Sequence, residues 1–327
     1  MKALVTGAGG FLGRHVVHAL AARGVEVRAM VRPVADVKDL GWPAAVEVFR
    51  ADLRSGRDLD RAFDGVDVLV HLAAAVSGGE DQQFAVGVAG TERLLDAMAR
   101  SACKHLVLAS SFSVYDFSAT RGTLDEDAPL HREPAVYSRD GYTIAKWWQE
   151  KVTRRYAEKY HWDLTVLRPG FIWGKDHAYL AALGQQIGKH HIVIGPMTRI
   201  PLTYVENCAD LFALATIDSR AKGQTFNVVD GPGERIWSYL SDYLRGTGEK
   251  GFRLPVPYTL GLSAVKLAYA TVFRTATKVP GILIPNRFES RMKPLNFDYR
   301  RAREVLGWNP KLGYQECLAR TFGTEAH

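Results

Sequence analysis

"TGAGGFLG", residues 6 to 13, decides the fold. It follows the apolar run "KALVT" of residues 2 to 6, opens the amphipathic stretch "GFLGRHVVHALAARG" of residues 10 to 24, and is followed by "VEVRAMVR", residues 25 to 32. Strand, glycine turn, helix and strand within so short a span make a βαβ unit. Glycines at 7, 10 and 13 let the chain turn tightly, so that backbone N–H groups at the start of the helix face a pyrophosphate. Gly7, Gly10, Phe11 and Leu12 are the cofactor contacts this predicts.

The same rhythm continues outward. "AVEVFRADL" (45–53), "VDVLVHLAA" (66–74) and "KHLVLASS" (104–111) read as strands, with helices in "RDLDRAFDG" (57–65) and "VAGTERLLDAMARSA" (88–102). Continuously apolar strands separated by helices specify a parallel sheet covered on both faces. The fold class expected is α/β: a Rossmann-like doubly wound parallel sheet with a smaller, discontinuous C-terminal substrate domain. Residues 1–171 form mainly the dinucleotide-binding domain and 172–202 a substrate-domain segment. Residues 203–231 return to the sheet through the helical "VENCADLFALATI" and the strand "GQTFNVVDG", and 232–327 supply most of the substrate domain and the tail. Short helices broken by "IGP", "LPVP", "KVPG" and "LIPN" are expected over 172–202 and 232–312, and Ser113 to Arg139 reads as a long loop.

Composition narrows the function. With 327 residues, 47% hydrophobic and 24% charged, the chain can bury a large core. A net charge of +7 suits an anionic ligand, but the basic residues are dispersed, and nucleic acid is not an expected partner. Cys103, Cys208 and Cys317 have no pair spacing, which argues against a disulfide framework and a thiolate metal site. No metal is expected, and His71 reads as a packed histidine. No signal peptide is evident, and a cytoplasmic location fits. Residues 257–276 are the most apolar long stretch, interrupted by Lys266. A pocket cover is favoured there over peripheral membrane or partner contact, and a bilayer span is disfavoured.

Residues near the strand ends point to chemistry. An NAD site usually has an acidic ribose reader about 20 residues beyond the glycines. Here Arg32 stands in that place, with Arg28 on the same strand and Asp36 just beyond, so NADP is favoured over NAD through guanidinium pairing with a 2′-phosphate. Asp52 and Leu53 suit the adenine, although Asp52 also suits capping the next turn. Leu72 reads as core, while Ala73 and Ala74 allow close backbone approach to the cofactor. Tyr142 and Lys146, four apart in "YTIAKWWQE" (142–150), project from one helix face, and a neighbouring ammonium favours the phenolate needed for proton exchange with a substrate hydroxyl. Ser110, Ser111 and Ser113 are the serine candidates. Strand alternation forbids Ser110 and Ser111 from both facing the pocket.

Together, "TGAGGFLG", "LASSFSVY", "YTIAKWWQE", "LRPGFIWG" and "NFDYRRAREVLGWNP" resemble the extended short-chain dehydrogenase/reductase family, the NAD-dependent epimerase/dehydratase group. The resemblance covers nearly the whole chain. It implies Ser111 as the catalytic serine, Tyr142 and Lys146 as the acid/base and its supporting lysine, and Pro169 beside the nicotinamide. Gly87 departs from an asparagine common in the family, and Phe112 from the acidic pair of dehydratases. The activity implied is hydride transfer at a secondary alcohol or ketone of a small or hydrophobic substrate, reductase-like or hydroxysteroid-dehydrogenase-like. A nucleotide-sugar epimerase with retained cofactor is the alternative, with Arg199, Arg287 and Arg291 to hold a diphosphate. A non-enzymatic dinucleotide-binding regulator gives the serine, tyrosine and lysine no role. A homodimer through the tryptophan-bearing helix is left open.

Overall fold

The computed structural model describes residues 1–75, 78–132, 141–273 and 279–323. Seven parallel strands form the main sheet: β1 (Lys2–Thr6), β2 (Glu26–Val31), β3 (Glu47–Arg50), β4 (Val68–His71), β5 (His105–Ala109), β6 (Asp163–Pro169) and β7 (Thr225–Val228). Their order is β7-β6-β5-β4-β1-β2-β3. The winding therefore reverses between β1 and β4, paired in the register Ala3–Val68 to Thr6–His71. Open α/β sheets bind ligands at the carboxyl ends of the strands flanking such a reversal.

Helices α1 (Phe11–Ala21) and α4 (Val205–Ile217) cover one face of the sheet. Val16, Val17 and Leu20 of α1 fall on one side at helical spacing and meet Cys208, Leu211 and Phe212 of α4. Each such side chain stabilises the fold by roughly 1.5–3 kcal/mol when fully buried. On the other face, α2 (Gly90–Ala99) supplies Leu94, Leu95 and Met98, while α3 (Gly141–Tyr160) supplies Val152 and Ala157.

A second, smaller core contains Trp173, Leu183, Val193, Tyr239 and Phe288, drawn from 171–204 and from residues beyond 232. It includes helix Ile236–Thr247, helix α5 (Tyr258–Thr271), helix Pro285–Met292 and a three-stranded sheet of Gln185–Ile187, His190–Ile194 and Phe252–Val256. Here the sequence-based expectation of short helices over 172–202 needs correction, because the segment is mostly short strands with one 3-10 turn at Ala181–Leu183. In "HHIVI", His191 and Val193 are buried alternately with more exposed neighbours, a period of two reinforced by β-branched residues. The long loop is also more ordered than expected. Thr123–Leu124 pairs with Asn296–Phe297, and Phe112, Tyr115, Phe117 and Leu124 share a buried cluster with Val229 and Leu295. Its residues 133–140 lie outside the described residues.

Candidate active site

The glycines are required by close packing. Gly7 has φ of +70°, and a Cβ there would lie 2.9 Å from the Ala73 backbone. A Cβ on Gly13 would sit 2.1 Å from the Gly7 carbonyl oxygen. The Gly10 amide donates to the Gly7 carbonyl at 3.0 Å, and the Ala73 amide to Thr6 Oγ1 at 3.3 Å. Turn, helix start and the segment after β4 are thus drawn together, with Ala73 and Ala74 half-buried beside them. Gly9 and Gly10 are exposed at the start of α1, whose first-turn amides have no intrahelical partner. This cradle, which a Cβ would fill, fits a dinucleotide pyrophosphate. Phe11 stacks on His177 at 3.9 Å between ring centroids, tying the cradle to the loop after strand Phe171–Trp173.

The ribose and adenine candidates separate. Arg32 is exposed just past β2. Arg50 holds the following turn by donating to the carbonyls of Pro33 at 2.8 Å and Ala35 at 2.9 Å, and Asp36 accepts from the Lys38 amide at 3.0 Å. Asp52 caps its turn through the Arg54 amide at 2.9 Å and also pairs with the Arg54 guanidinium at 2.7 Å, whose hydrogen bonds hold the carboxyl below its usual range. The Leu53 side chain lies in the core with Phe63 and Leu94, and Leu72 packs on the opposite core. Arg28 cannot share a phosphate. It is buried, pairs with Glu47 at 2.8 Å, and donates to the carbonyls of Ala62 at 2.8 Å and Asp64 at 3.0 Å.

Helix α3 presents an unusual polar face to the sheet, with Lys146, Gln149, Glu150 and Thr153 all buried. Tyr142, half-buried, stands one turn before Lys146. The Lys146 ammonium donates to the Ala109 carbonyl at 2.8 Å and to Gln149 Oε1 at 2.9 Å, which leaves one N–H for a third partner. Burial lowers its pKa to about 8, against the opposing pull of Glu150. Gln149 in turn donates toward the Ala73 carbonyl at 3.2 Å and Thr91 Oγ1 at 3.1 Å. Behind it, fully buried His71 lies 2.7 Å from Thr6 Oγ1 at Nδ1 and 2.9 Å from Thr91 Oγ1 at Nε2. Thr91 gives its own proton to the Gly87 carbonyl at 2.8 Å, and Gln149 Nε2 lies 3.1 Å from His71 Nε2, so the imidazole closes a buried polar network with Thr6, Thr91 and Gln149. Burial, helped by the Lys146 charge, lowers the His71 pKa to about 3 and keeps it neutral.

The two serines divide as alternation requires. Ser110 is buried and donates to Glu150 Oε2 at 2.5 Å, whereas Ser111 is half-buried and its Oγ accepts from the Ser113 amide at 3.1 Å. Ser113 Oγ is buried without a hydrogen-bond partner among the described residues. Glu150 also meets the Arg168 guanidinium at 2.6 Å, and Arg168 donates to Tyr115 Oη at 3.0 Å. Sequence reasoning missed Gln149, Glu150 and Arg168. Positions three and four beyond Lys146 share its helix face, which was the available signal. Pro169 is buried at the end of β6 opposite Val228, and Arg199 donates to the Gly233 carbonyl at 2.8 Å. Among the described residues, no group of three or more His, Cys, Asp or Glu is placed to hold a metal ion.

Residues 3–229 match the model of the NAD dependent epimerase/dehydratase family. The chain is 29% identical to an Arabidopsis thaliana 3beta-hydroxysteroid-dehydrogenase/decarboxylase isoform 1, across 99% of this chain and 79% of that protein. It is 25% identical to the Homo sapiens sterol-4-alpha-carboxylate 3-dehydrogenase, decarboxylating, across 100% of this chain and 88% of that one. A solved neighbour, the Thermus thermophilus UDP-glucose 4-epimerase complex with NAD, superposes with a TM-score of 0.70 at 22% identity over 98% of both chains, a likeness of fold.

Proposed function

The chain belongs to the NAD dependent epimerase/dehydratase family and is an NAD(P)-dependent oxidoreductase; from that premise we propose that Ser111, Tyr142 and Lys146 oxidise a secondary alcohol to a ketone, or run the reverse. The observation that carries this reading is the placement of Lys146 one turn after Tyr142, fastened to the Ala109 carbonyl at 2.8 Å, two residues before Ser111. A bound nicotinamide dinucleotide would supply the hydride acceptor or donor at its C4 atom. Tyr142, as phenolate, takes the hydroxyl proton of the alcohol, and its O–H returns that proton in the reductive direction. Ser111 donates to the same substrate oxygen and fixes its position. Lys146, held on two sides, has one remaining N–H, which would donate to the ribose of a bound nicotinamide dinucleotide, while its charge favours the Tyr142 phenolate. Gly7, Gly10, Phe11 and Leu12 would hold the pyrophosphate of that dinucleotide, with Ala73, Ala74 and Pro169 beside the rest of it.

Two substrate readings share this half-reaction. A nucleotide-sugar epimerase would keep its cofactor, turn the keto intermediate over and return the hydride to the opposite face; the family match and the UDP-glucose 4-epimerase neighbour support it. A hydroxysteroid dehydrogenase would release the ketone, and the two sterol-named relatives support that. Mass spectrometry of freshly purified, denatured protein separates them. Near-stoichiometric dinucleotide is the result expected of the epimerase, and an empty chain that reduces added cofactor with a sterol alcohol is expected of the dehydrogenase. Absence of turnover with both substrate classes would remove the proposal.

For cofactor choice, we propose NADP through Arg32, supported by its exposure past β2 and the absence of an acidic residue in its place. Arg32→Asp is expected to shift preference toward NAD by about tenfold or more, the loss of a charge-assisted phosphate contact. A competition titration of the two dinucleotides that gives the same ratio for both proteins would remove Arg32 from the site.

A further inference from the structure

We propose that Gln149 is the positioning residue of the proton-transfer pair, holding the Lys146 ammonium in place and tying it to the segment after β4; this rests on Tyr142 and Lys146 acting as proposed above. Gln149 is only 1% exposed and stands three residues beyond Lys146, on the same face of α3. Its amide has one orientation that satisfies both ends. Lys146 is a donor only, so the amide atom 2.9 Å from its Nζ is the oxygen. The amide nitrogen then faces the Ala73 carbonyl at 3.2 Å and Thr91 Oγ1 at 3.1 Å, with His71 Nε2 also 3.1 Å away. The Ala73 carbonyl can only accept, so the far end of the side chain requires the same orientation as the near one.

The same side chain reaches the glycine cradle. Ala73 gives its amide to Thr6 Oγ1 at 3.3 Å, and Thr6 Oγ1 lies 2.7 Å from His71 Nδ1, so the polar contacts close a ring through Gln149, Ala73, Thr6 and His71. A Cβ on Gly7 would lie 2.9 Å from the Ala73 backbone, which sets the cradle against this ring. Gly87, one turn before Thr91, has only its carbonyl to offer, and Thr91 takes it. A lysine side chain is long and rotatable; the Ala109 carbonyl and Gln149 fix two of its three N–H groups and so aim the third. The titratable groups around Lys146 are His71 of β4, which is neutral, Tyr142 one turn before it, and Glu150 one turn after it, already paired with Arg168 of β6. Gln149 faces the ammonium without charge. Charged and apolar replacements of similar size therefore change the surroundings of Lys146 in opposite senses.

The test follows the ionisation of Lys146 by NMR in the full chain carrying lysine labelled with carbon-13 at Cε, its signal identified by its loss in Lys146→Met. In the wild type the midpoint is expected at about pH 8. Gln149→Glu sets a carboxylate against the ammonium and should move the midpoint up by about one pH unit or more, whereas Gln149→Met removes the acceptor and should move it down. The alkaline limb of kcat/KM, measured with a sterol alcohol and NADP or with UDP-glucose, whichever the wild type turns over, should follow in the same directions. Gln149→Met should also lose about tenfold or more in kcat/KM at neutral pH, because the ammonium is no longer aimed. The midpoints need no substrate, so they decide the contact whichever class turns over. Wild-type midpoints in both variants overturn the proposal, and so does failure of both to fold, which would make Gln149 a packing residue. Midpoints that move while the limb of kcat/KM stays would remove Lys146 from the chemistry; the reading of the site then fails, and the positioning role falls with it.

Discussion

Tyr142→Phe is expected to lower turnover by about 10²–10⁴-fold, the usual worth of a positioned proton donor or acceptor. Phenylalanine keeps the ring, so the first turn of α3 and the glycine cradle should be untouched. Dinucleotide affinity, read by fluorescence titration, should stay near wild type, and so should the melting temperature. The pH profile gives the same residue pair a second readout. Burial has brought the Lys146 ammonium to about 8, so it loses its proton as pH rises through that value. Its support for the tyrosine oxygen fades with it, and kcat/KM of the wild type should fall on the alkaline side of about pH 8. Equal turnover of Tyr142→Phe and wild type would sink the assignment. A loss of turnover accompanied by an equal loss of cofactor affinity would make Tyr142 a structural residue instead.

The parts of this molecule legible in the sequence are those with a local cause. The glycine turn was readable because a positive φ at Gly7 and the contact of Gly13 with the Gly7 carbonyl tolerate no Cβ, and because strand and helix periods flank it directly. Tyr142 and Lys146 were readable as a pair because helical spacing alone places them together. Less was legible where partners come from distant strands. Arg28 and Arg32 look alike on one strand, yet Arg28 is buried by carbonyls at Arg61, Ala62 and Asp64, more than thirty residues away in sequence, while Arg32 is exposed. Ser110 and Ser111 could be told apart only by the resemblance, since alternation says that they differ without saying which faces in. The short strands between 171 and 204 were missed because each is only two to five residues long, too short for its period to stand out, and partners such as Phe252–Val256 for His190–Ile194 and Leu202–Tyr204 for Phe171–Trp173 lie far along the chain.

A hidden ion pair supplies the largest expected effect on stability. Arg168→Met should destabilise the fold by about 3–5 kcal/mol at neutral pH, the cost of leaving a buried carboxylate without its main partner. Burial alone would raise the Glu150 pKa, but the Arg168 hydrogen bonds and charge, with Arg154 and Ser110, outweigh it and hold the carboxyl at about 2, below the ordinary 4.5. A depressed folded value means that the pair's contribution is fully present above about pH 4.5 and is lost as pH falls toward 2. Without Arg168, burial dominates, and half-exposed Arg154 offsets only part of it. The deficit measured by urea unfolding should therefore be greatest at neutral pH and shrink in acid, where Glu150 is neutral in both proteins. Replacing both partners, as Glu150→Leu with Arg168→Met, should recover part of the loss, because neither member of this pair is then left buried without the other. A single variant as stable as wild type at neutral pH, or a deficit that does not change with pH, would show that Glu150 is solvated by something other than Arg168.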